Sequence, residues 1–256
     1  MVGQRAHQRP LLIALALLAG CAGGETRDTD AAAIARGGRL EPAVLTTATF
    51  DVQGWRRDDG RPGPLFVYIE GDGFAYVDER TPSSDPTPRD PIALRLAAAD
   101  PGPAILYLGR PCQFAPGRRD RRCTARDWTI DRFAEPAVAA LDEAIGRQRR
   151  PLVLVGYSGG GVIAALLAMR RSDVERVAAV AAPLAVDRWT TLFDLSPLRH
   201  AAIDVRVPLV AFAGQRDGTV PPEVATLPGA RQIVVPGFDH RCCWARDWPQ
   251  LLESAR

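Results

Sequence analysis

The chain has 256 residues, of which 46% are hydrophobic and 24% are charged, as in an ordinary globular protein. This length suggests a single domain, and the apolar content excludes disorder throughout the chain. The formal net charge at pH 7 is only +2, and no basic run is long enough to indicate a nucleic-acid-binding surface. We therefore expect one folded domain that does not bind nucleic acid.

The chain begins like an exported protein. Basic residues precede a short apolar run at residues 11–19, whereas a bilayer span needs roughly 20 apolar residues. Residues 18–21, Leu-Ala-Gly-Cys ending at Cys21, resemble a bacterial lipobox. That resemblance implies that the Cys21 thiol receives a diacylglyceryl group and that the segment before it is removed. An ordinary cleaved signal with an incidental cysteine is the alternative.

The lipobox divides the chain into three parts. We expect residues 1–20 to be a lipoprotein signal peptide, residues 21–40 a lipid-anchored flexible tether and residues 41–256 the folded domain. Ala22, rather than Asp, follows the cysteine. In a Gram-negative host this resembles the pattern that sorts lipoproteins to the outer membrane, so the domain is expected to face the periplasm.

Export into an oxidising compartment allows disulfide bonds among the other four cysteines. We predict a bond between Cys112 and Cys123, which closes a short polar loop. A bond between the neighbours Cys242 and Cys243, or crossed bonds among the four, stays open. A zinc site is less favoured, because His240 is the only histidine nearby.

Apolar runs of strand length alternate with helical stretches along the folded part. The predicted strands are residues 44–50, 65–69, 104–108, 152–155, 177–181, 207–213 and 232–235, and the predicted helices are residues 130–145, 161–169 and 244–255. This alternation predicts an α/β fold with a mostly parallel central sheet flanked by helices. Residues 76–101, with one short helix, and residues 183–204 are expected to be excursions over a site at the sheet edge.

The most informative pattern is Gly-x-Ser-x-Gly, directly after one predicted strand and before a helix. In this layout Ser158 sits on a sharp turn that presents its hydroxyl above the sheet. Gly156 and Gly160 leave room for the turn. The helix N-terminus directs free N–H groups, including that of Gly159, toward a developing oxyanion.

This elbow, the order of its partners and the loop after an early strand resemble the α/β-hydrolase superfamily over roughly residues 44–256. The resemblance implies the chain order serine, acid and then histidine after the final strand. His240 follows the final predicted strand and so fits the position of the base, whereas His200 does not. Asp217, in a segment similar to the family's Gly-x-x-Asp-x-x-Val-Pro, fits the acid. Asp217 is otherwise an Asx-turn residue, and the weaker rivals for the acid are Asp194, Asp204 and Asp239.

The resemblance also implies an oxyanion hole made of backbone N–H groups. One donor is Gly159, the residue after the nucleophile. The other lies in the loop that begins at Glu70, where many relatives have a histidine, and the candidates are Asp72, Gly73 and Phe74. An ordinary Gly-Asp-Gly turn is the alternative interpretation.

These residues predict a serine hydrolase that cleaves an ester or a related acyl bond in a small-molecule or lipid-like substrate. No metal or organic cofactor is implied, because no dinucleotide or P-loop motif is present. An acyltransferase that excludes water is a close variant. The alternative from another class is a non-catalytic lipoprotein that uses the fold for binding or assembly. A disulfide oxidoreductase at Cys242-Cys243 is weaker, because the pair lacks Cys-x-x-Cys spacing.

Overall fold

The computed structural model describes residues 26–255, in which eight strands form one sheet in the order β1-β2-β4-β3-β5-β6-β7-β8. The first three neighbouring strands pair antiparallel, and every pairing from β4 to β8 is parallel. The strands are β1 (Glu41–Thr46), β2 (Asp51–Asp58), β3 (Leu65–Ile69), β4 (Ala104–Leu108), β5 (Leu152–Tyr157), β6 (Val174–Val180), β7 (Leu209–Gly214) and β8 (Arg231–Val235). The predicted α/β class with a mostly parallel sheet is confirmed.

Helices cover both faces of this sheet. They are α1 (residues 26–37), α2 (Ile92–Ala99), α3 (Phe114–Arg118), α4 (Glu135–Ile145), α5 (Gly159–Arg170), α6 (Val186–Leu192) and α7 (Trp244–Ser254). Alternate residues of β3 show the two layers, since Tyr68 packs with α2 and α7 while Val67 and Ile69 pack with α4 and α5. None of the helices within residues 26–255 is long and apolar enough to cross a bilayer.

The first predicted strand is wrong, because residues 44–50 span a hairpin. β1 ends at Thr46, and the Thr47 hydroxyl turns the chain by donating to the Phe50 carbonyl (2.8 Å) and accepting from its N–H (3.1 Å). The chain then returns as β2, which pairs antiparallel with both β1 and β4. This strand ends in Arg56, Arg57 and Asp58, so its composition hides it from a search for apolar runs.

The predicted flexible tether is helical from residue 26 onward, which corrects the expectation for residues 21–40. Ala31 and Ala35 of α1 are buried, and Leu40 joins them in the core shared with α2 and α7. Gly38 lies so close to Ala98 of α2 that a Cβ at Gly38 would collide with it. The segment is therefore an integral layer of the domain, and residues 21–25 of the expected tether lie outside the described residues, as do the signal peptide and Cys21.

The predicted disulfide between Cys112 and Cys123 is present, with Cα atoms 5.8 Å apart. It ties the start of α3 to the loop that precedes α4, next to the carboxyl end of β4. The other bond joins the neighbours Cys242 and Cys243 just before α7. Both bonds lie in loops at the carboxyl edge of the parallel strands, where the candidate site is found.

The packing of α1 gives a test with a matched control on the same helix. Ala35 is 1% exposed, whereas Ala33 faces solvent. We expect Ala35→Arg to lower the free energy of unfolding by about 1–3 kcal/mol or more, because a long charged side chain is forced into a packed interface. Ala33→Arg should change it by less than about 0.5 kcal/mol. Urea unfolding of both variants measures this, and equal stabilities would show that α1 does not pack on the domain.

Candidate active site

The carboxyl ends of β3 and β5 form the centre of the candidate site. These strands are neighbours, with Ile69 opposite Gly156, so the loop after β3 lies beside the turn after β5. The sheet order reverses here, because β3 has β4 on one side and β5 on the other. Open α/β sheets bind ligands at such switch points.

Ser158 occupies the turn between β5 and α5 with φ 50° and ψ −127°. A positive φ is costly for a residue with a side chain, so surrounding contacts must hold it. A Cβ on Gly156 would collide with the Gly160 carbonyl, and a Cβ on Gly160 would collide with the Ile69 carbonyl. Both glycines are therefore required by close backbone approaches, as the sequence pattern predicted.

The acid and the base are joined by a hydrogen bond. Asp217 follows β7, His240 follows β8, and Nδ1 of His240 lies 2.9 Å from Oδ2 of Asp217. The Asp217 side chain is fully buried and that of His240 is 19% exposed. The Tyr157 hydroxyl donates to the His240 carbonyl (2.9 Å), and the two rings lie 5.4 Å apart. The histidine is thus fixed against the residue that precedes Ser158.

Both interpretations of Asp217 hold at once. Its Oδ1 accepts the N–H groups of Thr219 (2.9 Å) and Val220 (2.7 Å), which is an Asx turn, while its Oδ2 faces the histidine. The turn holds the carboxylate in a single orientation. Within residues 26–255, Ser158 Oγ makes no hydrogen bond, so the structure joins the acid to the base but does not join the base to the serine.

The rival residues lie elsewhere. Asp239 accepts the N–H groups of Arg241 and Cys242, which lowers the pKa of its carboxyl and commits it to a local turn. Asp194 and Asp204 are exposed. His200 pairs with Asp187 in the excursion that carries α6.

The loop after β3 reaches the nucleophile through Gly71, where a Cβ would lie 3.2 Å from Ser158 Cβ. The Gly71 N–H donates to the side chain of Glu70, and the Phe74 N–H donates to the Pro86 carbonyl, which excludes Phe74 as an oxyanion donor. The N–H groups of Asp72 and Gly73 have no acceptor among the described residues. These two and Gly159 are the donors that the geometry leaves free.

A charged cluster that the sequence did not predict surrounds Asp72. The Asp72 carboxylate covers the Cα atom of Gly159 and pairs with Arg110 (Nη1–Oδ1, 3.2 Å) and Arg132 (Nε–Oδ2, 3.1 Å). Arg110 and Arg132 are only 4% and 6% exposed. Burial lowers the pKa of Arg110, and the Asp72 carboxylate opposes that shift.

Arg132 also connects two parts of the site. Its guanidinium lies 5.7 Å from the ring of Trp189 on α6, and the Trp189 indole N–H donates to the carbonyl of Thr219, two residues after the acid. Arg110 lies two residues after β4, a position from which a parallel sheet projects residues into a site. No sequence signal marked Arg132, which lies in a turn before α4.

Within residues 26–255 no group of His, Cys, Asp and Glu is arranged to hold a metal ion. A cavity of about 590 Å³ lies between α1, the β1–β2 hairpin and α3, and its lining includes Leu40, Trp55 and Phe114. None of the candidate site residues lines it. A much smaller cleft is lined by Asp72, Arg110, Arg132 and Trp128.

Comparisons with known proteins add evidence on the fold. A scan against protein-family models finds no match, and a search of curated protein sequences finds none either. Solved structures do match. An esterase of Pyrococcus furiosus is 12% identical with a TM-score of 0.58, and the match covers 84% of this chain and 89% of that one.

Two further structures are similar over most of their length. Est1E from Butyrivibrio proteoclasticus is 12% identical, with a TM-score of 0.55 and coverage of 84% of this chain and 98% of that one. A membrane phospholipase A described as a bacterial virulence factor is 17% identical, with a TM-score of 0.55 and coverage of 96% and 97%. These likenesses show the fold, and the chain has the α/β-hydrolase fold that the resemblance in its sequence implies.

Proposed function

We propose that this protein is a serine hydrolase that cleaves an ester or a related acyl bond with Ser158, His240 and Asp217. The observation that carries the proposal is the 2.9 Å bond between Asp217 and His240, beside a serine held at positive φ on a strand–helix turn. A binding module has no need of a buried carboxylate that orients a histidine. The esterases and the phospholipase among the structural neighbours agree with this chemistry.

In the proposed reaction, Ser158 Oγ attacks the acyl carbon and gives its proton to Nε2 of His240. Asp217 accepts from Nδ1, which keeps Nε2 unprotonated before the attack and stabilises the imidazolium afterwards. The N–H groups of Gly159 and of Asp72 or Gly73 donate to the oxyanion. The intermediate then expels the leaving group, which takes the proton from His240. Water activated by the same histidine releases the acid and regenerates the serine.

The proposed substrate is a small-molecule or lipid-like ester, and the proposed location is a membrane surface. Location rests on the lipobox at Cys21, whose acyl chains would hold the domain at the outer membrane facing the periplasm in a Gram-negative host. Trp128 lines the same cleft as Asp72, and Trp189 donates to the Thr219 carbonyl in the loop that follows Asp217. Apolar walls at these positions suit an acyl group. Transfer to an acceptor other than water is tested by the same assays with an added alcohol.

Covalent labelling tests whether Ser158 is the nucleophile. A fluorophosphonate probe should label the wild-type protein and release one leaving group per chain, and Ser158→Ala should abolish labelling and ester hydrolysis without lowering the melting temperature. Heat-denatured wild type is the control for non-specific reaction. A folded wild type that stays unlabelled would favour the binding lipoprotein, and a labelled Ser158→Ala would show that another residue is the nucleophile.

Two substitutions distinguish Asp217 from Asp239 as the acid that orients His240. Asp217→Asn keeps a carbonyl oxygen for the Asx turn but places an amide N–H₂ against His240, so the imidazole adopts the wrong tautomer. We expect kcat to fall by roughly 10³–10⁴-fold with little change in KM. Asp239→Asn, one residue from His240, should stay within about threefold of wild type. Steady-state kinetics on a nitrophenyl ester measures both variants. Similar losses of kcat in the two would contradict the assignment of Asp217 as the acid.

The charge balance at Asp72 can be tested by removing one of its two arginine partners. Arg132→Met leaves the carboxylate with one cation beside the Gly159 N–H, where negative charge opposes an oxyanion, so we expect kcat/KM to fall by about 10–100-fold. Adding Asp72→Asn to Arg132→Met should recover most of this loss. Arg199→Met, at an exposed guanidinium, is the control. If the double variant were no faster than Arg132→Met, the loss would not be electrostatic.

A further inference from the structure

Glu70 is a buried carboxyl group for which the proposed reaction has no use. It follows β3 and is 1% exposed. Its Oε1 accepts the N–H groups of Gly71 (3.0 Å) and Ala93 (3.4 Å), while its Oε2 accepts the Tyr107 hydroxyl (3.0 Å) and the Leu94 N–H (3.4 Å). Four donors from three segments therefore converge on one carboxylate.

Two of these donors belong to the first turn of α2. The residue that precedes this helix is Pro91, which has no capping side chain, and no acidic residue lies in the first turn. Glu70 supplies the missing acceptor from a distant part of the chain, and its negative charge suits the positive end of the helix dipole. The carboxylate thus joins α2 to the start of the loop after β3.

The other contacts clamp the peptide that links Glu70 to the site. The Gly71 carbonyl accepts from Nε2 of Gln113 (3.0 Å), and the Gly71 N–H is held by Glu70 itself. The carbonyls of Ile69 and Glu70 press against Gly160 of α5. Gly71 itself lies against Ser158, and only Gly71 stands between these contacts and Asp72, whose N–H has no acceptor among the described residues.

We propose that Glu70 is a positioning residue that orients the 71–73 loop, and so aims its N–H groups at the oxyanion formed on Ser158. This rests on the hydrolase function proposed above and adds to it a residue that touches neither substrate nor reacting atoms. The loop needs the ionised form, because three of the four neighbours are backbone N–H groups that can only donate. A neutral acid or an amide presents a donor that only the Tyr107 hydroxyl can accept, and only by giving up its own bond to Glu70.

The environment of Glu70 makes this requirement depend on pH. Burial raises the pKa of its carboxyl to about 7, and the surrounding hydrogen bonds oppose that shift. The ionisable groups that act on it are Tyr107 of β4, Arg110 after β4 and Tyr157 of β5, while α2 contributes backbone N–H groups. As the pH falls below 7, the carboxyl takes up a proton and the loop loses an acceptor. Wild-type kcat should therefore fall on the acid side, in part because Glu70 becomes neutral.

The test compares Glu70→Gln with Asp100→Asn in the full chain. Asp100 is a control because it too is a buried carboxyl, accepts the Tyr68 hydroxyl (2.5 Å) and lies at the other end of α2. For Glu70→Gln we expect kcat to fall by about 10–100-fold at pH 8, KM to change by less than about threefold, and the acid limb of the kcat profile to become less steep. Asp100→Asn should lower the melting temperature while kcat and the pH profile stay as in wild type.

The outcomes separate the two proposals. A Glu70→Gln protein with the kcat and the acid limb of wild type would overturn the positioning role, while fluorophosphonate labelling of wild type would still uphold the hydrolase. A wild type that neither reacts with the probe nor hydrolyses esters would overturn both. If Glu70→Gln fails to fold, Tyr107→Phe replaces it, because it removes one donor and keeps the charge. A several-fold loss of kcat would support the proposal, and an unchanged kcat would overturn it.

Discussion

The oxyanion side of the site depends on one backbone contact, the approach of the Ile69 and Glu70 carbonyls to Gly160 of α5. No side chain fits between them, so the end of β3 meets the first turn of the helix that follows the serine. This contact brings the 71–73 loop to Ser158 and carries Asp72 over Gly159. It also places Glu70 where one carboxylate reaches both that loop and α2. A hydrophobic core alone would tolerate a wider gap here, whereas a preorganised oxyanion site would not.

The buried carboxylates near this contact are each matched by basic side chains or N–H donors. Asp72 faces Arg110 and Arg132, and Asp217 faces His240 and two backbone N–H groups. Such arrangements add little to stability, because desolvation offsets most of the attraction. Their advantage is a fixed electrostatic field, which acts on a developing oxyanion without reorganising when the reaction occurs. Glu70 differs from them in having only dipoles as hydrogen-bond partners, and these oppose, without cancelling, the burial that raises the pKa of its carboxyl.

The sequence predicted the parts of the site that have short-range signatures. Ser158 stands in a pattern whose glycines are required by sterics. Asp217 and His240 each follow a strand that apolar residues reveal, so the chain order that the family resemblance implies was enough to pair them. Arg132 has no such signature, because its role depends on a turn that brings it back to Asp72 across the sheet edge. β2 was missed because it ends in charged residues, and the hairpin at Thr47 depends on a side-chain hydrogen bond. The α1 segment is rich in alanine, a composition that suits a tether and a buried helix equally well, and only the close fit at Gly38 and Ala98 decides between them.

If the protein is the lipoprotein proposed above, the position of α1 limits how far the domain can move from the membrane. In the proposed lipoprotein, the acyl chains are attached at Cys21, and the helix packed on the domain includes residue 26. Five residues span at most about 17 Å when fully extended, which is roughly half the thickness of a hydrocarbon core. Such an anchor would keep the domain close to the membrane surface. It would hold the α1 side of the protein against the lipid headgroups and favour substrates that come from that same surface.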